Sequence, residues 1–231
     1  MKNNLHPLTQ FIRISLEYFI SRGFTIAEGP EIETEWYNFD ALNVPLDHPS
    51  RDIQDTFWLK DAKKVLRTHT TGTDVRVIRE KKLRPPLRLI IPGRCFRNEA
   101  TDATHNYVFY HLDGIAIDKD LNMGHLIEIL DGYMKKLFSQ NIITRVRPGY
   151  FPFVEPGMEM DIKLPSGKWQ EMLGAGMGHP LVLKNMGLDP EKWQAIMFGM
   201  GIDRYMMRYF DIDNIRLSYS GDLRFLKQFQ V

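Results

Sequence analysis

The segment from Leu87 to Ile117 constrains the fold of this chain more than any other stretch. An apolar run over residues 87–91 leads into Arg94-Cys95-Phe96-Arg97, a polar loop follows, and a strand pattern resumes at Val108. This order predicts two antiparallel strands joined by a hairpin loop. Because two residues suffice to join such strands, a longer loop rich in charged and amide side chains indicates contact with a ligand.

The side chains at this hairpin are of the kinds that bind a nucleotide. Arg97 presents a planar fork of five donors, which suits phosphate. Glu99 only accepts hydrogen bonds and suits an amino group, whereas Phe109 offers a flat apolar face to a base. The residue types alone leave two interpretations open, a nucleotide site and a charged hairpin tip in solvent.

The same hairpin resembles motif 2 of the class II aminoacyl-tRNA synthetases. Its strings DATH at 102–105 and FYHLDG at 109–114 are close to the form found in the alpha subunits of bacterial phenylalanyl-tRNA synthetases. The segment NFDALNVPLDHPSRDIQDTFWL at 38–59 and the segment IRLSYSGDLRFLKQF at 215–229 are similar to the same subunits. The resemblance therefore covers nearly the whole chain.

Two further segments resemble the other motifs of that family. A helical apolar pattern from Pro7 to Gly23, followed by a strand pattern at 24–27, resembles motif 1, which in the family lies at a subunit interface. Its periodicity alone favours an ordinary helix packed on a sheet. The string FGMGIDR at 198–204 resembles motif 3, with Asp203 where the family usually has Glu.

The remaining pattern predicts an antiparallel sheet. Strands expected at 142–147, 159–164 and 169–173 follow one another without intervening helices, and a helix is expected over 126–138. The glycine-rich string at 174–178 lacks the lysine of a P-loop. We therefore predict an α+β protein with the class II synthetase catalytic fold, a mainly antiparallel sheet flanked by helices. Residues 1–231 are expected to form a single catalytic domain without a separate tRNA-binding arm or anticodon-binding domain.

Two local expectations concern the segments between the motifs. Residues 31–59 are expected to form an ordered but irregular loop, because prolines and aspartates recur there. Thr73 is expected to cap a helix that carries Val75, Ile78 and Leu83.

Charge and cysteine usage limit the possible partners and location. Thirty basic and twenty-nine acidic residues leave a net charge of +1, so any contact with tRNA must be local. Cys95 is the single cysteine, and no signal peptide or membrane-spanning run is evident, so we expect a cytoplasmic protein that does not bind membranes. One basic cluster is a first place to look for acceptor-stem phosphates, although such runs are usually solvated. It consists of Arg76, Arg79, Lys81, Lys82, Arg84 and Arg88.

The resemblance implies ATP-dependent activation of an amino acid, foremost phenylalanine, to its adenylate and transfer to tRNA. Arg97 would stabilise the charge that develops at the α-phosphate, and Arg204 would hold the γ-phosphate, which makes them the implied catalytic residues. Glu99 would bind the adenine amino group, Phe109 would stack on the base, and His105 would contact the β- or γ-phosphate.

Magnesium is the cofactor that the resemblance implies beside the substrate ATP. Glu155 and Glu171 are the candidate ligands, because Mg²⁺ between phosphates usually takes only one or two protein carboxylates. Each glutamate alone is more often a surface charge.

The implied amino-acid site departs from the family at several positions. Phe151-Pro152-Phe153 matches a family signature whose two rings pack edge-to-face against the substrate phenyl group. The family usually has Gln and Glu at His111 and Asp113, where they hold the substrate ammonium. The complete implied set is His69, Thr71, His111, Asp113, Phe151, Phe153 and Met197, with Thr71 replacing a serine and Met197 replacing a small alanine.

These departures leave alternative functions open. One is a paralogue that activates a different amino acid or delivers it to an acceptor other than tRNA. Another is a regulatory relative without turnover, which the retention of Arg97 and Arg204 disfavours. The implied partners are phenylalanine or a related amino acid, tRNA, and either a larger beta subunit in a heterotetramer or a second copy of the chain.

Overall fold

The computed structural model describes residues 5–60 and 63–229, which form nine strands and eight α-helices. The strands are β1 (Thr25–Ile26), β2 (Ile32–Thr34), β3 (Lys64–Leu66), β4 (Leu87–Phe96), β5 (Val108–Asp118), β6 (Thr144–Phe151), β7 (Val154–Lys163), β8 (Trp169–Gly178) and β9 (Gln194–Gly201). The helices are α1 (Pro7–Ser21), α2 (Glu35–Asn38), α3 (Thr71–Glu80), α4 (Met123–Leu137), α5 (Pro180–Asn185), α6 (Ile202–Tyr209), α7 (Ile215–Tyr219) and α8 (Leu223–Leu226). Short 3-10 turns lie at Asp40–Leu42, Pro49–Arg51 and Lys227–Phe229.

A seven-stranded sheet forms the centre of the fold, in the order β1-β4-β5-β9-β8-β7-β6. The short β1 runs parallel to β4, and the other neighbouring pairs are antiparallel. The strands predicted at 142–147, 159–164 and 169–173 are present as β6, β7 and β8, and the predicted helix at 126–138 is α4. This confirms the expectation of a mainly antiparallel sheet flanked by helices.

Helices cover both faces of this sheet, because successive side chains of a strand point to opposite sides. On one face, α1, α4 and α6 bury a large core around Phe19, Tyr133 and Phe198. On the other, α3 and α5 pack against strand residues that include Ile115 and Met197. The cleft described below lies on this second face, beside α3.

The hairpin of β4 and β5 forms as the sequence predicts. Leu87 pairs with Ile117 and Phe96 pairs with Val108, which leaves residues 97–107 as the loop. The side chain of Asp102 accepts hydrogen bonds from the backbone amides of Thr104 (2.6 Å) and His105 (2.7 Å), so the loop has a defined internal turn.

The short helix α7, near the C-terminus, connects this loop to the beginning of α1. The amide of Ile215 donates to the carbonyl of Ala103 in the loop at 2.9 Å. At the other end of α7, the carbonyl of Ser218 accepts from the Nε2 atom of His6, the N-cap residue of α1, at 2.9 Å. Helix α7 (Ile215–Tyr219) therefore contacts both the hairpin loop and the N-cap of α1, and we call it the C-terminal clasp.

The segment 31–59 is less irregular than its composition suggests. It contains β2, α2 and two 3-10 turns. The buried guanidinium of Arg51 connects α2, the first 3-10 turn and the residues after it. Arg51 donates to the carbonyl of Val44 at 2.6 Å and forms ion pairs with Asp40 (2.5 Å) and Glu35 (3.3 Å).

The helix expected to begin at a Thr73 cap begins earlier. The structure has Thr71 as its first residue and Thr70 as its N-cap, and it ends at Glu80, before Leu83. The prediction was wrong because the backbone is already helical at Thr70, and the amide of Thr73 donates to the Thr70 carbonyl at 2.9 Å within the first turn. The Thr70 hydroxyl binds Asp113 and caps no helix amide.

Candidate active site

Three contiguous cavities form a cleft on the second face of the sheet. We name them the central cavity (about 360 Å³), the inner cavity (about 220 Å³) and the outer cavity (about 430 Å³). Arg97 and Phe151 line all three, so the cavities meet at these two side chains.

Glycines of β8 and β9 form the floor of the cleft. A Cβ atom built on Gly174 would lie 2.5 Å from the ring of Phe151, and one on Gly199 would overlap the carboxylate of Asp113. Both positions must therefore remain without a side chain. The glycine-rich string at 174–178 was the signal for this floor, although sequence reasoning considered it only as a P-loop.

The central cavity brings together all five residues predicted to bind the nucleotide, namely Arg97, Glu99, His105, Phe109 and Arg204. The guanidinium carbon of Arg97 lies 4.8 Å from the ring centroid of Phe109, and its nitrogens have no hydrogen-bond partner among the described residues. The Arg97 guanidinium therefore covers one face of the Phe109 ring, and its N–H groups remain available to a ligand.

Arg204 lies in the first turn of α6, at the opposite wall of the central cavity. Its Nη1 atom makes one long contact, 3.4 Å, with the carbonyl of Glu171, and no carboxylate of the described chain pairs with it. His105 is more constrained, because its Nδ1 atom lies 3.1 Å from the carboxylate of Asp102.

Asp203, the residue that departs from motif 3, is buried and holds neighbouring elements together. Its carboxylate accepts from the backbone amide of Tyr110 in β5 at 2.5 Å and from the hydroxyl of Tyr219 in the C-terminal clasp at 2.6 Å. Burial raises the pKa of Asp203 above its usual value. The side chain thus fixes the start of α6, and with it Arg204, against the hairpin.

Asp113 is the centre of the inner cavity. Only 2% of the residue is exposed, and its carboxylate accepts from Thr71 Oγ1 (2.9 Å), from the amide of Thr70 (3.1 Å) and from the Thr70 hydroxyl. His111 Nδ1 lies 2.6 Å from the same carboxylate. Burial acts to raise the pKa of Asp113, but the His111 ring and these hydrogen bonds outweigh it and hold the pKa below its usual value.

His69 lines the inner cavity as an uncharged ring. Its Nδ1 atom is enclosed and has no partner among the described residues, and its ring centroid lies 6.4 Å from that of Phe153. Burial lowers the pKa of His69 to about 4. At neutral pH the ring carries no charge and does not repel a bound ammonium group.

Phe151 and Phe153 also line the inner cavity. Their ring centroids are 6.0 Å apart with an interplanar angle of 28°, so the two rings lie nearly parallel to each other. Met197 does not line the cavity. It is 2% exposed on the same face of β9 as Gly199, with its sulfur 3.4 Å from a Cβ atom built on Gly178.

The two predicted magnesium ligands lie far from each other. Glu171 lines the central cavity and pairs with Arg147 at 2.9 Å. Glu155 is highly exposed and lies 3.4 Å from His179. Glu171 in β8 pairs with Asp161 in β7, and Glu155 lies six positions before Asp161. At about 3.3 Å per residue this is roughly 20 Å. One ion cannot contact both glutamates, and residues 5–60 and 63–229 contain no group of three acidic, His or Cys side chains suited to a metal.

Half of the basic cluster has structural partners. Arg76 pairs with Glu33 (2.5 Å) and Glu80 (2.6 Å), Arg79 donates to the carbonyl of Asn185 at 2.8 Å, and Arg88 donates to that of Arg22 at 2.7 Å. The expectation that these three bind acceptor-stem phosphates is therefore not supported, because their donors connect elements of the chain itself.

Asp74 is a buried acid that sequence reasoning missed. It is fully buried one helical turn after Thr71, and neither of its carboxylate oxygens has a hydrogen-bond partner in the described chain. Burial and the nearby charge of Asp113 raise the pKa of Asp74 well above its usual value. An aspartate in the first turn of a helix normally indicates favourable interaction with the helix dipole, so no local pattern signals the burial of Asp74.

None of the helices in the described ranges is long and apolar enough to cross a membrane. Cys95 is buried in β4, and burial raises its pKa far above the usual thiol value.

Comparison with known proteins identifies relatives along nearly the whole chain. Residues 1–229 match the family described as "tRNA synthetases class II core domain (F)". The "Phenylalanine--tRNA ligase alpha subunit" of Psychrobacter arcticus is 44% identical over 228 residues, which cover 99% of this chain and 64% of the relative. The proteins of the same description from Proteus mirabilis and Vibrio cholerae are 45% identical over 226 residues, which cover 98% of this chain and 68% of each relative.

A solved structure has the same fold. The "Pyrrolysyl-tRNA synthetase from Desulfitobacterium hafniense" superposes with a TM-score of 0.72 at 17% sequence identity, over 94% of this chain and 74% of that one. At this identity the likeness concerns the fold alone. The chain spans about two thirds of the length of the curated relatives it matches.

Proposed function

Because this chain belongs to the class II tRNA synthetase core-domain family, we propose that it activates phenylalanine with ATP and transfers the phenylalanyl group to tRNA. The observation that carries the proposal is the pair Arg97 and Arg204. Both guanidinium groups line one cavity without a carboxylate partner in the described chain, and that cavity opens into the cavity of Phe151 and Asp113. Unpaired cations beside an aromatic pocket suit a triphosphate and an aromatic amino acid.

The nucleotide would occupy the central cavity. Phe109 and Arg97 offer a flat apolar and cationic surface to the base and phosphates, and Glu99 offers an acceptor to the adenine amino group. Arg204, in the first turn of α6, would bind the terminal phosphate, where the helix dipole also favours an anion. A bound Mg²⁺ would neutralise part of the phosphate charge, and of the two predicted ligands only Glu171 lines this cavity.

The amino acid would occupy the inner cavity. Asp113 and Thr71 would bind its ammonium group, and the neutral ring of His69 adds no repulsion. His111 lies against Asp113 and keeps the carboxylate in place. Phe151 and Phe153 would contact the substrate ring through their apolar faces.

Activation needs no side-chain nucleophile. An oxygen of the substrate carboxylate attacks the α-phosphorus, forms the acyl-phosphate bond, and displaces pyrophosphate, which leaves with the electrons of the broken phosphorus–oxygen bond. Arg97 stabilises the charge that develops at the α-phosphate without taking up a proton. In the second step a ribose hydroxyl of tRNA attacks the acyl carbon and displaces AMP.

The outer cavity provides room for the acceptor. It shares His69, Arg97 and Phe151 with the inner cavity, so a group that enters there reaches the activated carboxyl. We propose that tRNA approaches from this side and that a larger partner subunit assists its binding, as the description of the relatives as alpha subunits suggests. Under this proposal residues 1–231 act as one catalytic domain.

A different amino acid is the second candidate substrate. Asp74 places a second buried acid close to Asp113, and Met197 packs beside the floor of the inner cavity. Asp74 adds a buried acid near the ammonium site, and Met197 adds side-chain volume next to the floor of the pocket.

Amino-acid-dependent exchange of pyrophosphate into ATP, measured with each of the twenty amino acids, tests the proposal. We expect phenylalanine to give the highest kcat/KM. Exchange with another amino acid alone would replace phenylalanine as the substrate, and exchange with none, in the presence of its partner subunit, would contradict the activity itself. Phenylalanine activation by Met197→Ala, compared with the parent, then shows whether Met197 limits the size of the pocket.

A further inference from the structure

A fourth cavity continues the cleft beyond Arg204. This distal cavity has a volume of about 380 Å³ and shares Thr104, His105 and Arg204 with the central cavity. It is completed by Gln170, Met207, Arg208, Asp211 and Ile212. The shared side chains are those at the proposed phosphate end, so the distal cavity begins where the terminal phosphate of the nucleotide would lie.

Arg208 supplies a second cation to this cavity. It follows Arg204 by four residues on α6, so the two side chains project from the same side of the helix, about 5–6 Å apart at their Cβ atoms. Within residues 5–60 and 63–229 the Arg208 guanidinium makes no ion pair and no hydrogen bond, although the cavity also contains the acidic Asp211. Its donors are therefore available to a ligand.

His105 lines the loop side of the cavity. The Asp102 carboxylate fixes the ring through its Nδ1 atom, so its Nε2 atom can contact a ligand. The two guanidinium groups supply the N–H donors at this opening, and they suit a compact polyanion because a guanidinium fork matches the geometry of phosphate oxygens.

We propose that the distal cavity binds inorganic pyrophosphate, the leaving group of the activation step, and that Arg208 is its principal ligand there. The inference rests on the proposed function. When the bond to the α-phosphorus breaks, the β- and γ-phosphates become a free dianionic or more highly charged product beside Arg204. Arg208 is the next cation along α6 and gives this product a second position before it reaches solvent. In the reverse reaction the same position collects pyrophosphate from solution.

The test is the kinetics of Arg208→Gln in pyrophosphate exchange with the complete protein and any subunit it requires. We expect the KM for pyrophosphate to rise about fivefold, equal to roughly 1 kcal/mol, while the KM for ATP rises much less. Arg208→Lys retains the charge and should recover part of the loss. Lys136→Gln, which removes from α4 an exposed cation without an ion pair among the described residues, is the matched control and should leave both constants unchanged.

Equal KM values for pyrophosphate in Arg208→Gln and the parent would overturn the assignment. So would a defect confined to tRNA charging, which would identify the cavity as a contact for an RNA phosphate. If the parent shows no exchange, the proposed function fails, and titration of the protein with inorganic pyrophosphate alone still decides the subsite. Binding to the parent that weakens in Arg208→Gln supports it, and no binding or equal binding to both refutes it.

Discussion

The two ends of the cleft hold their charged groups in opposite ways. At the phosphate end, Arg97 and Arg204 are exposed and have no carboxylate partner in the described chain. At the amino-acid end, Asp113 is buried and receives hydrogen bonds from Thr70, Thr71 and His111. At the phosphate end the ligand must therefore supply the opposite charge. At the amino-acid end the Asp113 carboxylate already has its hydrogen-bond donors within the protein. Removal of a charge should therefore affect mainly activity at the first end and both activity and stability at the second.

The largest expected effect is at the phosphate end. Arg97→Ala and Arg204→Ala should each reduce pyrophosphate exchange by about 10²–10³-fold, equal to about 2.7–4 kcal/mol, because each removes a cation aligned to charge that develops in the reaction. Thermal unfolding should change little, since neither side chain has an ion pair to lose. Lys136→Ala serves as the control for loss of an exposed cation from a helix. A large fall in melting temperature in either variant would show that the arginines of the phosphate end also stabilise the fold, contrary to this comparison.

The next effect is at the amino-acid end. Asp113→Asn removes the charge around which four hydrogen-bonding groups of three residues are arranged and should destabilise the fold by about 1–3 kcal/mol. It should also raise the KM for the amino acid tenfold or more, because the ammonium group loses its counter-charge. Exchange kinetics and denaturant unfolding measure the two effects. Asp118→Asn, at the exposed end of the same strand, is the matched control.

The pH dependence of that variant sharpens the comparison. Since the folded pKa of Asp113 is lower than its unfolded value of about 3.9, the carboxylate stabilises the protein above that pH, and this contribution is lost as the pH falls through the folded pKa. The stability difference between Asp113→Asn and the parent should therefore shrink in strong acid. A constant difference would show that the charge contributes nothing.

The smallest expected effect is on stability, and here the substitution should stabilise the protein instead of destabilising it. Asp74 has a raised folded pKa, so the unfolded state releases its proton above about pH 3.9 and the folded state is disfavoured as the pH rises. Asp74→Asn has nearly the same shape without an ionisable group and should raise the melting temperature at pH 7.5 more than at pH 4.5. Equal shifts at both values would show that Asp74 carries no proton linkage.

The sequence predicts the two ends of the cleft unequally well, for physical reasons. The hairpin and motif 3 are recognisable as local patterns, and their residues Arg97, Phe109 and Arg204 line one cavity, while their binding to a nucleotide stays a prediction. The burial of Asp74 depends on how α3 packs against β5, which no local pattern encodes. The separation of Glu155 from Glu171 likewise depends on strand register, and residue type alone does not reveal it.

The roles of Thr70 and of the basic cluster show the same limit. Thr70 and Thr73 are equally good caps by composition, yet the helix begins after Thr70 and the Thr70 hydroxyl binds Asp113, which lies far away in sequence, instead of the helix amides. Arg76, Arg79 and Arg88 read as a free basic surface until their partners on other elements are known.

The C-terminal clasp also has a mechanical consequence. From His6 at the start of α1, one hydrogen bond leads to Ser218, the short α7 leads to Ile215, and a second hydrogen bond leads to Ala103 in the nucleotide loop. The Tyr219 hydroxyl adds a branch to Asp203, the residue before Arg204. A displacement of the beginning of α1 would therefore reach both the nucleotide loop and the start of α6 through only a few residues, which makes α7 a short mechanical link between α1 and the phosphate end.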